Sequence, residues 1–166
     1  MDRTGVYLEI TDPKQLRAAP EVPELVLDEV SASAAPTICR LYNEIWEDSG
    51  RSGWSPERWA GELSPPHIRT WIAKIGEQPV GFAEIGWQGN GHVAIVVIGV
   101  IPSFQGRGIG GDFLSRLTRL AWKTPSSEGR STTRVWLWTV PDEHPHTIPN
   151  YLSRGFRETQ RGNEAD

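Results

Sequence analysis

Three apolar segments, "IRTWIAKI" (68–75), "VGFAEIGW" (80–87) and "HVAIVVIGVI" (92–101), follow one another with only "GEQP" and "QGNG" between them. Links that short cannot carry a crossover helix, so the three strands must fold back on one another as an antiparallel meander. The third segment is apolar at both alternating positions, which predicts a central strand covered on both faces. Gly99 interrupts it, and a glycine inside a strand marks a bulge or a close backbone approach.

Helical patterns flank this meander. Ile38, Leu41, Tyr42, Ile45 and Trp46 recur at i, i+3, i+4, i+7 and i+8, the apolar stripe of a helix starting near Ser33. "EDSGRSG" ends it. "SPERWAGEL" starts another, with Ser55 as cap and Pro56 in the first turn, and "SPP" at 64–66 stops it. Toward the N-terminus, "GVYLEITDPKQL" reads as a short strand and then a brief helix capped by Asp12. "AAPEVPE" is a proline-broken link and "ELVLDEV" (24–30) a strand. After the meander come a helix over about 107–123, a two-faced strand "TRVWLWTV" (133–140), a short helix "IPNYLSR" ended by Gly155, and a last short strand. The order is β-α-α-β-β-β-α-β-α-β. At 166 residues the chain has the usual size of one domain. We expect a single α/β unit over 1–166, a mixed sheet flanked by helices, with 1–23 a small addition to a core at 24–160.

Composition narrows the partners. The net charge of −4 argues against a nucleic acid or an anionic membrane as the main partner. No apolar run reaches the ~18 residues that span a bilayer, and "MDRTGVYLEI" lacks the pattern of a secretion signal. Cys39 is the sole cysteine, so no internal disulfide forms and a reducing cytoplasm is expected.

Between the meander and the long helix lies "GVIPSFQGRGIGGDFL" (99–114). The first N–H groups of a helix have no partner inside it, and the helix dipole adds positive charge there. Glycines keep side chains away, so such a turn is built to hold a phosphate. Gly106, Gly108 and Gly111 satisfy G-x-G-x-x-G, but a dinucleotide fold needs repeated βαβ units and an acid about 20 residues on. Asp142 lies more than thirty residues past Gly111, and the G-x-x-x-x-G-K-[ST] loop is absent.

Gln105-Gly106-Arg107-Gly108-Ile109-Gly110 resembles Q/R-x-x-G-x-G/A, the signature of the GNAT superfamily of acyl-CoA-dependent N-acetyltransferases. "GVIP" before it resembles the end of that family's central strand. "PNYLSRGFRE" (149–158) resembles its Y-x-x-x-G-F segment, with Tyr151, Gly155 and Phe156 in those places. "YLEITDPKQLR" and "EHPHTIPNYLSRGF" resemble one bacterial branch. The resemblance implies acetyl-CoA as co-substrate, its pyrophosphate held at Gln105, Gly106, Arg107, Gly108, Ile109, Gly110 and Gly111. It implies pantetheine paired along Ile98, Gly99 and Val100. It implies transfer of the acetyl group to a primary amine of a small molecule, by direct attack, with Tyr151 as acid for the departing thiolate.

Where the family often carries a central-strand carboxylate, this sequence has Ala94. Glu84 is the first candidate base, because it shares a strand face with Val80 and Phe82, where burial would raise its pKa. His92 is the second. His144 stands seven before Tyr151, where many relatives place Asn. In "YNEIWEDSGRSGW", Glu44, Glu47 and Asp48 with Trp46 and Trp54 suit a cationic amine by charge and cation–π contact. "EHPH" (143–146) lacks a zinc spacing, so no metal is expected. Two other readings stay open: a non-catalytic acyl-CoA-binding module, and an acetyltransferase for a protein N-terminus or lysine. A homodimer is compatible with either.

Overall fold

The computed structural model describes residues 5–46, 50–63, 67–140 and 146–162. Seven strands form one sheet: β1 (Val6–Ile10), β2 (Leu25–Val30), β3 (Ile68–Ile75), β4 (Gln78–Trp87), β5 (His92–Val100), β6 (Arg134–Thr139) and β7 (Arg157–Thr159), in the order β2-β3-β4-β5-β6-β1-β7. The helices are α1 (Ala35–Ile45), α2 (Pro56–Glu62), α3 (Ile109–Lys123) and α4 (Thr147–Ser153). Among the described residues no helix is long and apolar enough to cross a membrane. The local signals act as expected. Asp12 caps a 3-10 turn at Pro13–Gln15, and the Ser55 hydroxyl accepts the Arg58 N–H at the start of α2.

The meander is antiparallel, β3 to β4 to β5, and β5 is central. Its two neighbours differ. β4 pairs along its length, whereas β6 runs parallel and pairs at three positions only, His92↔Arg134, Val93↔Val135 and Ala94↔Trp136. Beyond Ala94 the two strands part. A β-bulge marks the place: Glu84 pairs with Val97 and Ile85 with Ile95, so Val96 is the extra residue. Coverage on both faces therefore holds for His92–Ile95 but fails beyond. Val96 is 43% exposed and Val97, Ile98 and Gly99 are half-buried, because the strand that would flank them has left.

Phe82 and Glu84 of β4 face α1 and α2, through Tyr42, Trp59 and Arg51. Trp87, of opposite parity, donates its indole N–H to the Thr124 carbonyl just after α3. The sheet therefore lies between two helical layers. The core joins Ile38 and Leu41 of α1, Phe82 and Ile85 of β4, and Phe113 and Leu117 of α3.

The N-terminal segment is no mere addition. β1 inserts between β6 and β7, with Tyr7 opposite both Trp138 and Thr159. The proline-broken link then crosses α3. Asp112, buried, accepts the Val22 N–H at 2.8 Å and pairs with Arg116, which donates to the Leu25 carbonyl at 2.7 Å. A buried charge so paired and bonded is tolerated and fixes the link.

Close approaches hold β4, β5 and α1 together. A Cβ at Gly99 would stand 2.6 Å from the Trp46 ring and 3.0 Å from Ile45, and one at Gly81 would collide with the Gly99 carbonyl oxygen. Backbone cannot yield as a side chain can. Gly81→Ala is therefore expected to lower the unfolding free energy by about 1–3 kcal/mol, read as a drop in the urea midpoint. An unchanged midpoint would mean that the β4–β5 contact has slack.

Candidate active site

β5 leads through a 3-10 turn at Pro102–Phe104 into the glycines. Gly106 (φ +79°) and Gly108 (φ +81°) adopt left-handed conformations that suit glycine. Gly108 caps α3 without any side-chain hydrogen bond. A Cβ at Gly106 or Gly110 would meet nothing within 4 Å, and one at Gly108 only a Val22 methyl at 3.9 Å. The space in front of the helix is thus open, and the first-turn N–H groups, which a helix leaves without internal partners, form the kind of place that suits an anion. Gly111 differs. Its Cβ would meet Ala19 at 3.0 Å and the Arg154 guanidinium at 3.4 Å, so glycine there serves packing. Ile109 puts its side chain into the core and offers only its backbone.

Charge gathers around the turn. Gln105 donates its amide to the Val100 carbonyl at 2.9 Å, which fixes the turn to the end of β5. Arg107 is exposed with its guanidinium on the Phe104 ring at 4.7 Å. Arg154, at the end of α4, lies against the first turn of α3, with Nε buried and no hydrogen-bond partner among the described residues. A cation beside the positive end of a helix is unfavourable by itself. An anion in the turn would reverse that.

These features have relatives. The model of the acetyltransferase (GNAT) family matches residues 35–156. The chain belongs to the GNAT acetyltransferase family. Solved structures share the fold. A functionally unknown conserved protein from Staphylococcus epidermidis superposes with TM-score 0.72 at 19% identity, covering 93% of this chain and 57% of its own. A GCN5-related N-acetyltransferase from Kribbella flavida gives 0.64 at 18%, covering 92% and 53%. The present chain thus spans little more than half the length of either. An aminoglycoside N-acetyltransferase in complex with CoA gives 0.61 at 21%, covering 86% and 95%. No curated protein matches by sequence.

Within this GNAT fold, Ile98, Gly99 and Val100 lie on the half of β5 that β6 has left. Glu84 sits beside them, opposite Val97. Its side chain is 0% exposed, and Arg51 holds it with Nη1 at 3.0 Å from one carboxyl oxygen and 3.4 Å from the other. Burial pushes its pKa up to about 8; Arg51 opposes the shift, and a hydrogen bond and like charge from Glu62 reinforce it. The close guanidinium does not require an ionised partner, because it donates equally to the carbonyl oxygen of a neutral carboxyl group. His92 stands at the closed end of the parting, seven residues or roughly 23 Å of strand from Gly99.

The aromatic residues are already engaged. Trp46 packs on Gly99 and stands edge-on to Phe82 at 6.2 Å. Trp54 carries two of the chain's own guanidinium groups, Arg51 at 4.5 Å and Arg58 at 4.2 Å. An acceptor cation at Trp54 would have to displace one. Glu44 is exposed on α1. Glu47, Asp48, Asp142, Glu143 and His144 lie outside the described residues, and among the described residues no group of three His, Cys, Asp or Glu could hold a metal. Tyr151 is buried in α4, with its ring edge-on to Phe156 at 5.9 Å. Sequence reasoning missed Arg51, Glu62, Arg154 and Val22. Only Arg51 carried a signal, as a cation inside a glycine-serine loop.

Glu84 has a consequence for stability. Its folded pKa, about 8, exceeds the ordinary value of 4.5. Between those values the unfolded chain binds fewer protons than the folded one, so stability is greatest below about pH 4.5 and falls as pH rises toward 8. Wild type is expected to lose melting temperature relative to Glu84→Gln as pH is raised from 5 to 8. Parallel profiles would mean that Glu84 is ionised throughout.

Proposed function

We propose that the chain is an acetyl-CoA-dependent N-acetyltransferase that acetylates a primary amine of a small molecule. The observation that carries the reading is a sheet parted beside β5 that leads directly into an open, glycine-lined helix N-terminus. Backbone N–H groups of Gly108, Ile109 and Gly110 would hold the pyrophosphate, and Arg107 and Arg154 would supply positive charge. The side of β5 that β6 has left, along Ile98, Gly99 and Val100, suits the pantetheine amides, which would extend the sheet there, with Gln105 already on the Val100 carbonyl. The thioester supplies the electrophilic carbonyl.

An alkyl ammonium near pKa 10.4 holds its proton at pH 7.4 by roughly 4 kcal/mol. A base tuned toward working pH lowers that cost, and Glu84 with a pKa of about 8 has that property. Backbone N–H groups of β5 are the available donors for charge developing on the thioester oxygen. Tyr151 is the proposed acid for the thiolate. Complete burial of Glu84 favours a second reading, a non-catalytic acyl-CoA-binding module. Thiol release from acetyl-CoA across a library of primary amines separates the two, because only an enzyme turns over. A reducing cytoplasm suits either reading.

Two tests bear on the parts. Gly108→Asp places a side chain and a negative charge in the anion site, so calorimetry is expected to find no acetyl-CoA binding. Arg154→Gln is expected to weaken binding roughly tenfold, the scale of one charge-assisted hydrogen bond. Equal affinity in wild type and Gly108→Asp would remove the turn assignment.

Tyr151→Phe removes one oxygen and keeps the ring. The kcat is expected to fall by about 10²-fold, the low end for general acid catalysis, because a thiolate of pKa near 8.5 already leaves readily. The KM for acetyl-CoA should hardly change. Full kcat in the variant would reduce Tyr151 to packing.

A further inference from the structure

Glu84 has no contact with solvent. A base that accepts protons must also release them, so a buried carboxyl group needs a second group between it and water. Glu62, at the end of α2, shares the Arg51 guanidinium with Glu84 and raises the proton affinity of that carboxyl group, and its own side chain is 28% exposed. Arg51 reaches both carboxyl groups, at 3.0 Å for Glu84 and 3.5 Å for Glu62. Two carboxylates offer acceptors and no donor, so a hydrogen bond between them requires one proton. Charge counting agrees. With both ionised the cluster carries −1 beside the buried Glu84, and with one proton it is neutral.

The remaining neighbours add no charge. From α1, the Tyr42 hydroxyl accepts the Arg51 backbone N–H at 2.9 Å. From β3, Thr70 stands opposite Glu84, with its hydroxyl buried and without a hydrogen-bond partner among the described residues. From β5 the facing residue is the apolar Val97. Trp54 and Trp59 cover the guanidinium. Among the described residues, no charged side chain other than Arg51 and Glu62 bonds Glu84.

We infer that Glu62 is a positioning residue for the base: it shares one proton with Glu84 beneath Arg51 and passes that proton on to water. The inference rests on the reading of Glu84 as the base. In the step, an N–H bond of the acceptor ammonium breaks and its electron pair stays on nitrogen. The proton joins a Glu84 oxygen, the proton already shared shifts fully onto Glu62, and that proton leaves from Glu62 to solvent, so that the pair again holds one. One proton is transferred in all, and nothing is oxidised or reduced.

The test follows Glu84 in two ways, by carboxyl ¹³C resonances of glutamate-labelled protein and by the pH dependence of kcat/KM. The acceptor is the primary amine that gives the fastest thiol release. Glu62→Gln leaves an amide donor and removes the like charge. The titration of Glu84 should then fall by roughly one unit or more, and the acidic limb of kcat/KM should move down with it. Glu62→Asp, which keeps a carboxyl group, should restore the wild-type profile in part. An unmoved Glu84 resonance overturns the shared proton. A resonance that moves while the kinetic limb stays removes Glu84 as the base, and with it the role of Glu62. The half-exposed position of Glu62 lets both variants fold, and the ¹³C spectra check that directly.

Discussion

The parting of β5 from β6 is the constraint on which the rest depends. A sheet that stops pairing in its own centre opens a gap beside a central strand, and each main-chain donor or acceptor kept there from both partner and water costs of the order of 1–3 kcal/mol. Edges are normally placed at the rim for that reason. Here the bulge at Val96 turns the strand away, and pairing to β4 continues through Val100 to hold its other side. Gln105 takes the Val100 carbonyl and so anchors the glycine turn at the point where the open edge ends. The open edge and the open helix N-terminus are therefore consecutive stretches of one rigid piece. A ligand with amides at one end and phosphates at the other matches that sequence of groups.

The parts legible in the sequence were those set by near neighbours. Short links force a meander; Asp12, Ser55 and Pro56 cap their helices by contacts within a few residues; glycine at 106 and 108 reads as a turn because only local backbone conformation is at stake. What was not legible is held by partners far apart. Asp112 meets Val22 across 90 residues, and Glu9 meets Arg134 across 125. Nothing in "VYLEI" says which strands it joins, so its insertion between β6 and β7 had no local trace. The prolines of the link argued correctly against regular structure, but they are silent on docking to α3.

The site divides along the same line. Glu84 was recognisable because strand parity is a local rule and a carboxylate among apolar neighbours breaks it. Arg51 comes from a loop, and loops carry no periodicity to say where a side chain will point. Its arrival changes the meaning of Trp54. The indole suits a cation, as its surroundings suggested, yet the cations it meets are Arg51 and Arg58. Gly99 is a similar case. A close approach was expected there, and it comes from two sides: the Trp46 ring lies on its Cα and Gly81 of β4 stands close to its carbonyl.

Placing a fully buried Glu84 against the partly buried Arg51 and Glu62 is hard to explain by stability. Desolvating such a cluster commonly costs as much as its attraction returns, and an apolar replacement of the same volume is often neutral or better. Meanwhile the two indoles and Phe82 around it supply ample apolar contact for joining α2 to the sheet. What the cluster adds is a carboxyl group held near the parted half of β5, with its proton affinity raised by burial and moderated by one guanidinium. Remove Arg51 and the titration of Glu84 would rise further still. Expose Glu84 and it would ionise at the ordinary pH and attract protons too weakly. The intermediate state needs both burial, given by the packing of α1 and α2 on the sheet, and a fixed cation, given by Arg51 of the loop between them.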